Sequence, residues 1–171
     1  MTTKMVFHGS DIEKICDYYH LNKEDIVKFG ANVNPLGLSA SVKKEIAENV
    51  DLFSSYPDRD YVSLRNTISE YCRIPAEFIL PGNGSSELLE KVCFAFGGKG
   101  RKIAYPAPSF SMYETYITLS DSTPVPYRLD EEFKVDADAV IKFCKKEKPD
   151  VLIVNNPNNP TGTYNAQQMM E

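Results

Sequence analysis

The stretch Val151-Leu152-Ile153-Val154-Asn155-Asn156-Pro157-Asn158-Asn159-Pro160-Thr161-Gly162 is the strongest indication of how this chain folds. Its first four residues form a short, apolar, β-branched run, which is typical of a buried strand in a parallel sheet. Such sheets bind ligands just past the carboxyl ends of their strands. Residues 155–162, called the amide loop below, follow the run with side-chain amides and two prolines that restrict the backbone. They predict either a rigid recognition loop or, alternatively, a simple Asn-Pro turn.

Short extended segments alternate with helical patterns over the residues that precede this stretch. Strands are predicted at 78–80, 102–105 and 123–127, and helices at 87–96, about 109–119 and about 136–146. This alternation is typical of parallel βα units. Residues 1–75 are predicted to form an irregular helical N-terminal arm, and residues 76–171 the first part of a wound α/β domain. Three or four strands would leave apolar surface uncovered, which indicates an incomplete sheet and a fragment of a longer protein.

Composition and charge narrow the classes of protein to consider. The chain has 171 residues, 42% of them apolar and 11% aromatic, enough for about one domain with a real core. Its net charge of −5 gives no electrostatic reason to expect nucleic acid or an anionic membrane as a partner. No segment approaches the roughly 18 apolar residues of a membrane span. Four cysteines without a C-x-x-C pair predict reduced thiols in a cytoplasmic protein, with Cys72 and Cys93 packing helix faces.

A glycine-rich turn, Gly82-Asn83-Gly84-Ser85-Ser86, is predicted between a strand and a helix. Backbone N–H groups at a helix start favour an anion, and the two serine hydroxyls add donors. A phosphate site and an ordinary serine-capped turn are both open interpretations of this segment. It is not a dinucleotide fingerprint, because Glu87 stands where the third glycine would be required.

An aromatic residue, Phe110, follows the strand that ends near Tyr105. It is predicted either to stack on a planar ligand or to pack in the core. Carboxyl ends of parallel strands share one edge, so the glycine turn, Phe110 and the amide loop are expected to converge there. A phosphorylated aromatic ring would satisfy all three.

His8 and His20 have no partners at metal-ligand spacing, so no metal site is predicted, and no G-x-S-x-G elbow supports a serine hydrolase.

Five motifs occur in the order found in class I/II aminotransferases, and the chain resembles that family over residues 8–162. They are His8-Gly9, Asn32-Val33-Asn34-Pro35-Leu36-Gly37, Tyr56-Pro57-Asp58, Gly82-Asn83-Gly84 and Pro157-Asn158-Asn159-Pro160-Thr161-Gly162. The resemblance points to the branch containing histidinol-phosphate aminotransferase and L-threonine-O-3-phosphate decarboxylase. It implies the large domain of the aspartate aminotransferase-like fold of pyridoxal phosphate-dependent transferases, with pyridoxal 5′-phosphate as cofactor.

The resemblance also implies roles for individual residues at the cofactor. Gly84, Ser85 and Ser86 would hold its phosphate, Phe110 would stack on its pyridine ring, and Asn159 would donate its amide to the phenolic oxygen. When bound, this cofactor draws electrons from the Cα of an amino substrate. Loss of a proton there leads to amino transfer, and loss of the carboxylate to decarboxylation.

Other family residues imply a homodimer and a small-molecule amino substrate. Tyr56 would reach the phosphate of the neighbouring subunit's cofactor, and His8 and Asn32 would approach the substrate. Ser10 replaces the second glycine of the decarboxylase-like His-Gly-Gly opening. In the family, the Schiff-base lysine follows the amide-loop motif, beyond this chain, so no catalytic residue is assigned and the fragment alone is predicted to be inactive.

The leading interpretation is therefore a class I/II aminotransferase acting on an amino acid or a phosphorylated amino substrate. The alternatives are an L-threonine-O-3-phosphate decarboxylase of cobalamin biosynthesis, a non-catalytic binding domain, and a phosphate- or nucleotide-binding module that uses residues 82–86. The sequence leaves the substrate and the reaction branch open.

Overall fold

A computed structural model describes residues 11–28 and 33–164 of the chain. The chain divides into two compact units, Met1–Arg59 and Asp60–Glu171. The boundary predicted between residues 75 and 76 stays a prediction, because the division into compact units does not test the extent of functional domains.

The first unit is helical and has little core. Its helices are α1 (Ile12–Tyr19) and α2 (Ala40–Glu48), with short 3₁₀ turns at Lys23–Asp25 and Val50–Ser54. α2 begins where the Ser39 hydroxyl accepts from the Val42 N–H, which satisfies one of the N–H groups left open at a helix start. Every described residue of this unit is exposed or half-buried. The predicted irregular helical arm is thus confirmed for its described part.

The second unit is a small α/β sheet. Its elements are α3 (Val62–Cys72), a 3₁₀ turn (Ala76–Phe78), α4 (Gly84–Phe96), β1 (Lys102–Ala107), α5 (Met112–Leu119), β2 (Thr123–Arg128), α6 (Ala137–Glu147) and β3 (Val151–Leu152). The three strands are parallel and lie in the order β2-β1-β3. The predicted α/β class and the parallel sheet wound with helices are confirmed.

The core lies on both faces of the central strand, β1. Adjacent residues of a strand point to opposite faces, and Ile103 and Ala104 are each 0% exposed. Ile103 packs with Cys93 of α4 and Ile117 of α5, whereas Ala104 packs with residues of β2 and α6, Val140 among them. Helices therefore cover both faces of β1, as expected for a strand whose residues are apolar after Lys102.

The prediction of a strand at 78–80 is wrong. Residues 76–78 form a 3₁₀ turn instead, and although Ile79 has extended backbone (φ −108°, ψ 122°), it is not part of the sheet. Phe78 and Leu80 are 77% and 70% exposed. An apolar extended run becomes a strand only when a second strand takes up its hydrogen bonds, and no strand in the described part of the chain does so here.

The outer edge of β2 is closed to further pairing. The Thr123 N–H points to the β1 side of β2, where it donates to the carbonyl oxygen of Arg101, the residue before β1. N–H groups alternate in direction along a strand, so the nitrogens of Pro124 and Pro126 face the outer edge, where proline has no hydrogen to donate. Proline on an edge strand blocks the addition of another strand. Any growth of this sheet must therefore occur beside β3.

Two of the four cysteines were expected to pack helix faces. Cys93 of α4 is buried in the core, which confirms that prediction, but Cys72 at the end of α3 is exposed, so its predicted packing role is wrong. The helical period placed Cys72 on an apolar face, but that face is not covered in this unit. All four thiols are unpaired.

Candidate functional site

Ser109 joins the segment after β1 to the amide loop after β3. Its hydroxyl donates to the side-chain oxygen Oδ1 of Asn158 at 2.6 Å and lies 3.3 Å from the backbone oxygen of Asn159. Ser109 precedes Phe110, and Asn158 precedes Asn159, so one serine brings both predicted recognition residues to the same end of the sheet. That end is the carboxyl end of β1 and β3, as the sequence predicts.

Asn158 is the buried centre of this junction, with only 4% of its surface exposed. Its Nδ2 donates to the Thr161 hydroxyl at 2.8 Å and to the Pro108 carbonyl at 3.3 Å. Its oxygen accepts from Ser109, so the amide is paired at both ends. A buried amide must be paired in this way, because an unmet donor or acceptor is costly. Asn158 therefore holds the loop together rather than facing a ligand.

Asn155 holds the backbone of the next asparagine. Its amide orientation follows from its neighbours. With the oxygen turned toward them, it accepts from the Asn159 N–H at 2.9 Å and from the Tyr113 hydroxyl at 3.2 Å. Burial raises the pKa of Tyr113, so this hydroxyl keeps its proton and remains a donor. The N–H of Asn159 is thereby tied to α5 as well as to its own loop.

Phe110 lies at the boundary between core and solvent. Its ring meets Tyr113 edge-on, with centroids 5.6 Å apart and planes at 87°, and it packs against the cluster that contains Cys93 and Ile103. It remains half-buried. Part of the ring therefore packs in the core and the contact with Tyr113 fixes its plane, whereas stacking on a planar ligand stays a prediction.

The glycine turn lies at the start of α4, which begins at Gly84, three residues earlier than predicted. Gly84 has φ +76°, a left-handed value that favours glycine, and a Cβ there would meet nothing within 4 Å. Its N–H donates to the Gly82 carbonyl at 2.8 Å. The next N–H groups, from Ser85 and Ser86, have no acceptor within the helix and point outward with its positive dipole end.

A carboxylate already lies close to this helix start. Glu87 accepts from the Asn83 N–H and from Lys91 Nζ at 2.6 Å. The Lys91 ammonium, and then the Asn83 N–H, hold the pKa of Glu87 below its usual value. Lys91 therefore offsets part of the negative charge that Glu87 brings to the start of α4, where Glu87 already accepts from the Asn83 N–H.

The far end of α4 determines which way the helix points. Gly98 donates its N–H to the Ser122 hydroxyl at 2.8 Å, and Ser122 directly precedes β2, beside the start of β1. The C-terminal end of α4 therefore lies at the amino ends of the strands. A helix of 13 residues is about 20 Å long, and Leu89 packs on the same cluster as Phe110. Its N-terminus consequently points toward the carboxyl ends of the strands.

This arrangement corrects one step of the sequence argument. The glycine turn was expected at the carboxyl end of the sheet because it followed a strand, yet that strand, at 78–80, is absent from the sheet. The direction of α4 brings Gly84 toward that end instead. Of the other predicted site residues, Tyr56 lies in the first unit and is 100% exposed, and His8 and Asn32 lie outside the described residues.

Sequence reasoning missed the residues that hold the site together. Ser109, Asn155, Asn158 and Thr161 form its hydrogen bonds, but the sequence argument assigned a role only to their neighbours Phe110 and Asn159. The signal available was the repetition of asparagines in the amide loop, since four amides cannot all face a ligand.

Within the described part of the chain, no group of three His, Cys, Asp or Glu side chains could hold a metal ion, and no helix is long and apolar enough to cross a membrane.

Comparison with known proteins agrees with the fold and the order of motifs. The sequence model of the family described as "Aminotransferase class I and II" matches residues 24–169. The histidinol-phosphate aminotransferase of Clostridium novyi (strain NT) is 36% identical over 154 residues, covering 89% of this chain and 43% of that protein. The chain thus spans less than half the length of this relative.

Two solved structures are also similar. The histidinol-phosphate aminotransferase from Clostridium acetobutylicum superposes with a TM-score of 0.66 at 33% identity, covering 76% of this chain and 37% of that one. A decarboxylase from Sulfurospirillum multivorans gives a TM-score of 0.58 at 27% identity, covering 75% and 35%. The matched residues, the parallel sheet and the ordered motifs lead to one conclusion: this chain belongs to the aminotransferase class I and II family.

Proposed function

We propose that this chain carries the cofactor-binding groups of a pyridoxal phosphate-dependent aminotransferase that acts on a phosphorylated amino substrate such as histidinol phosphate. The observation that supports this best is the junction at Ser109, which brings Phe110 and Asn159 together at the carboxyl end of the sheet. Family membership and the 36% identity to a histidinol-phosphate aminotransferase support the reaction and the substrate class.

The donors at the start of α4 fit a phosphate dianion. Ser85 and Ser86 each offer a hydroxyl and an outward N–H, and Gly84 leaves space beside them. Ser85 is exposed and Ser86 is half-buried, so a ligand can reach both. Lys91 neutralises Glu87, the nearest carboxylate, and so limits its repulsion of the phosphate.

The other two groups fit a flat ring that carries a hydroxyl. The edge-on contact with Tyr113 fixes the plane of Phe110, which would stack on the pyridine ring. Asn159 would donate an amide N–H to the phenolic oxygen, and a hydrogen bond to an oxygen that carries charge is stronger than one between neutral groups. Pyridoxal phosphate would supply the electron sink, while the residues of this chain would bind and orient it.

The proposal for the whole protein goes further than these residues. No lysine in the chain matches the family's Schiff-base position, so we expect the 171 residues alone to be inactive. The fully exposed Tyr56 would reach the cofactor of a second subunit in a homodimer. Four unpaired cysteines suit a reducing, cytoplasmic location.

Decarboxylation is a second candidate, because a solved decarboxylase shares the fold at 27% identity. The two reactions differ in which Cα bond is broken. The cofactor-binding groups described here serve either reaction, so they do not discriminate between them.

The test uses the complete protein that contains this chain. It should acquire a visible absorbance on addition of pyridoxal phosphate, and borohydride should attach the cofactor covalently. With histidinol phosphate and an oxo-acid acceptor, an aminotransferase yields a new oxo product, whereas carbon dioxide released from threonine phosphate would indicate the decarboxylase. Absence of both the absorbance and the covalent attachment would refute the proposal and leave a binding domain as the alternative.

A further inference from the structure

A pair of side chains, Ser109 and Asn158, forms what we call the latch between the segment after β1 and the amide loop. We propose that these two are positioning residues: they fix the direction of the Asn159 amide and of the Phe110 ring toward the cofactor. This inference rests on the proposed function, since it assigns roles behind the same site. Neither residue belongs to the set expected to touch the cofactor.

The latch acts on residues next to it in the chain. A hydrogen bond of 2.6 Å joins residues 109 and 158, so residues 110 and 159 start from points whose separation is fixed. Only the short backbone between each pair separates the latch from the recognition residue. A positional error at the latch would therefore pass directly to both Phe110 and Asn159.

Asn159 is also held by its backbone. Its N–H donates to the Asn155 oxygen at 2.9 Å, and its carbonyl oxygen lies 3.3 Å from the Ser109 hydroxyl, whose single proton is given mainly to Asn158 Oδ1 at 2.6 Å. The hydrogen bond of the N–H therefore restrains the direction in which the Asn159 side chain leaves the backbone. A hydrogen-bond donor must be held in such a way, because hydrogen bonds weaken steeply when distance and angle are lost.

Both polar atoms of the Asn158 side chain in the latch are already hydrogen-bonded. Asn158 is buried, and its donors reach Thr161 and Pro108 while its oxygen accepts from Ser109. Removal of the Ser109 hydroxyl would leave a buried amide oxygen without its shortest hydrogen bond. The amide must then move or admit water, and either change shifts the loop that carries Asn159.

A second buried serine at the opposite end of the sheet offers a matched control. Ser120 is 6% exposed, and its hydroxyl donates to the Ile117 carbonyl at 2.8 Å and lies 2.9 Å from the Ser122 hydroxyl. Ser120→Ala thus also deletes a buried, hydrogen-bonded hydroxyl. It does so at the amino ends of the strands, away from the amide loop.

The experiment compares Ser109→Ala, Asn159→Ala and Ser120→Ala in the complete protein loaded with pyridoxal phosphate. The measurement is the pH midpoint of the visible absorbance of the bound cofactor. A donor to the phenolic oxygen favours its charged form, so loss of that donor raises the midpoint. We expect a rise of about 1–2 pH units for Asn159→Ala and about 0.5–1 unit for Ser109→Ala, with no change for Ser120→Ala.

A second pair of variants separates positioning from loss of structure. Thr161→Val removes the hydroxyl that accepts from Asn158, whereas Thr161→Ser keeps it. Thr161→Val should raise the midpoint in the same direction as Ser109→Ala, and Thr161→Ser should restore the wild-type value. This pair also replaces Ser109→Ala as the test if that variant does not fold.

The outcomes distinguish the inference from the proposed function. If the wild-type protein binds the cofactor but neither Ser109→Ala nor Thr161→Val moves the midpoint, the latch has no positioning role, and the proposed function stands. An equal shift in Ser120→Ala would likewise overturn the inference, because the effect would then be general. If the wild-type protein binds no pyridoxal phosphate, the proposed function fails first.

Discussion

Gly97→Ala tests whether the end of α4 determines the direction of the helix, and hence the place of the glycine turn. A Cβ at Gly97 would lie 2.3 Å from both the Cys93 carbonyl oxygen and the Ser122 hydroxyl, and 2.9 Å from the Ser120 hydroxyl. Non-bonded contacts this short do not persist, so part of the structure must move. The Cys93 carbonyl belongs to the last turn of α4 and cannot move without loosening that turn.

The expected cost follows from these contacts. Overpacking a close-packed site destabilises a protein by about 1–3 kcal/mol. The upper half of that range, about 2–3 kcal/mol, applies where backbone rather than a flexible side chain blocks the new methyl group. The hydrogen bond from Gly98 to Ser122 lies at the same point and would be strained as well.

Gly82→Ala is the matched control, since it also adds one methyl group next to α4. There the Cβ would approach the Leu88 side chain at 2.8 Å and Glu87 Oε2 at 3.2 Å. Both are side chains rather than backbone, and they can move to relieve the contact, so the cost should be below about 1 kcal/mol.

The assay is urea unfolding of the complete protein followed by far-ultraviolet circular dichroism. Gly97→Ala should lower the unfolding midpoint clearly more than Gly82→Ala does. Equal midpoints for the two variants would refute the close packing of α4 against the start of β2, and with it the argument that α4 points its N-terminus at the carboxyl end of the sheet.

Three further predictions concern the phosphate site, the response to acid and the core. Ser85→Ala removes a proposed donor to a charged phosphate and should weaken pyridoxal phosphate binding about 10- to 100-fold in an absorbance titration; unchanged affinity would contradict the phosphate role. The Lys102 N–H, and then the Arg101 guanidinium, hold the pKa of Asp150 below its usual value. The ionised Asp150 therefore stabilises the fold above its unfolded-state pKa of about 3.9, and this stabilisation is lost as the pH falls through the lower folded-state pKa. The stability difference between wild type and Asp150→Asn should therefore be constant above about pH 5 and shrink below about pH 4 in urea titrations; a difference that grows in acid would show the opposite sign. Ile117→Ala empties a fully buried position between α4 and β1 and should cost about 2–5 kcal/mol by the same assay, whereas a loss below about 1 kcal/mol would mean that this face is not packed.

The helices and three of the four predicted strands could be predicted from local sequence. Apolar residues at helical spacing predict α4, α5 and α6, and short, largely apolar runs between turn residues predict β1, β2 and β3, because burial of a face requires the matching period. The burial of Ile103 and Cys93 follows from the same rule. The order of motifs also sufficed to identify the family.

Three features depended on contacts between residues distant in sequence. Phe78–Leu80 has the composition of a strand but finds no partner strand in the described chain, and strand formation requires that partner. Asn158 and Asn159 are identical neighbours, yet the side chain of Asn158 is buried between Ser109 and Thr161, whereas Asn159 contacts Ser109 through its backbone oxygen. The packing of Gly97 against Ser122, 25 positions later, sets the direction of α4. The order of residues determines which faces of the helices and strands are apolar. Which strand, side chain or helix end each of these faces contacts depends on the surfaces that meet in space, so only the tertiary structure decides it.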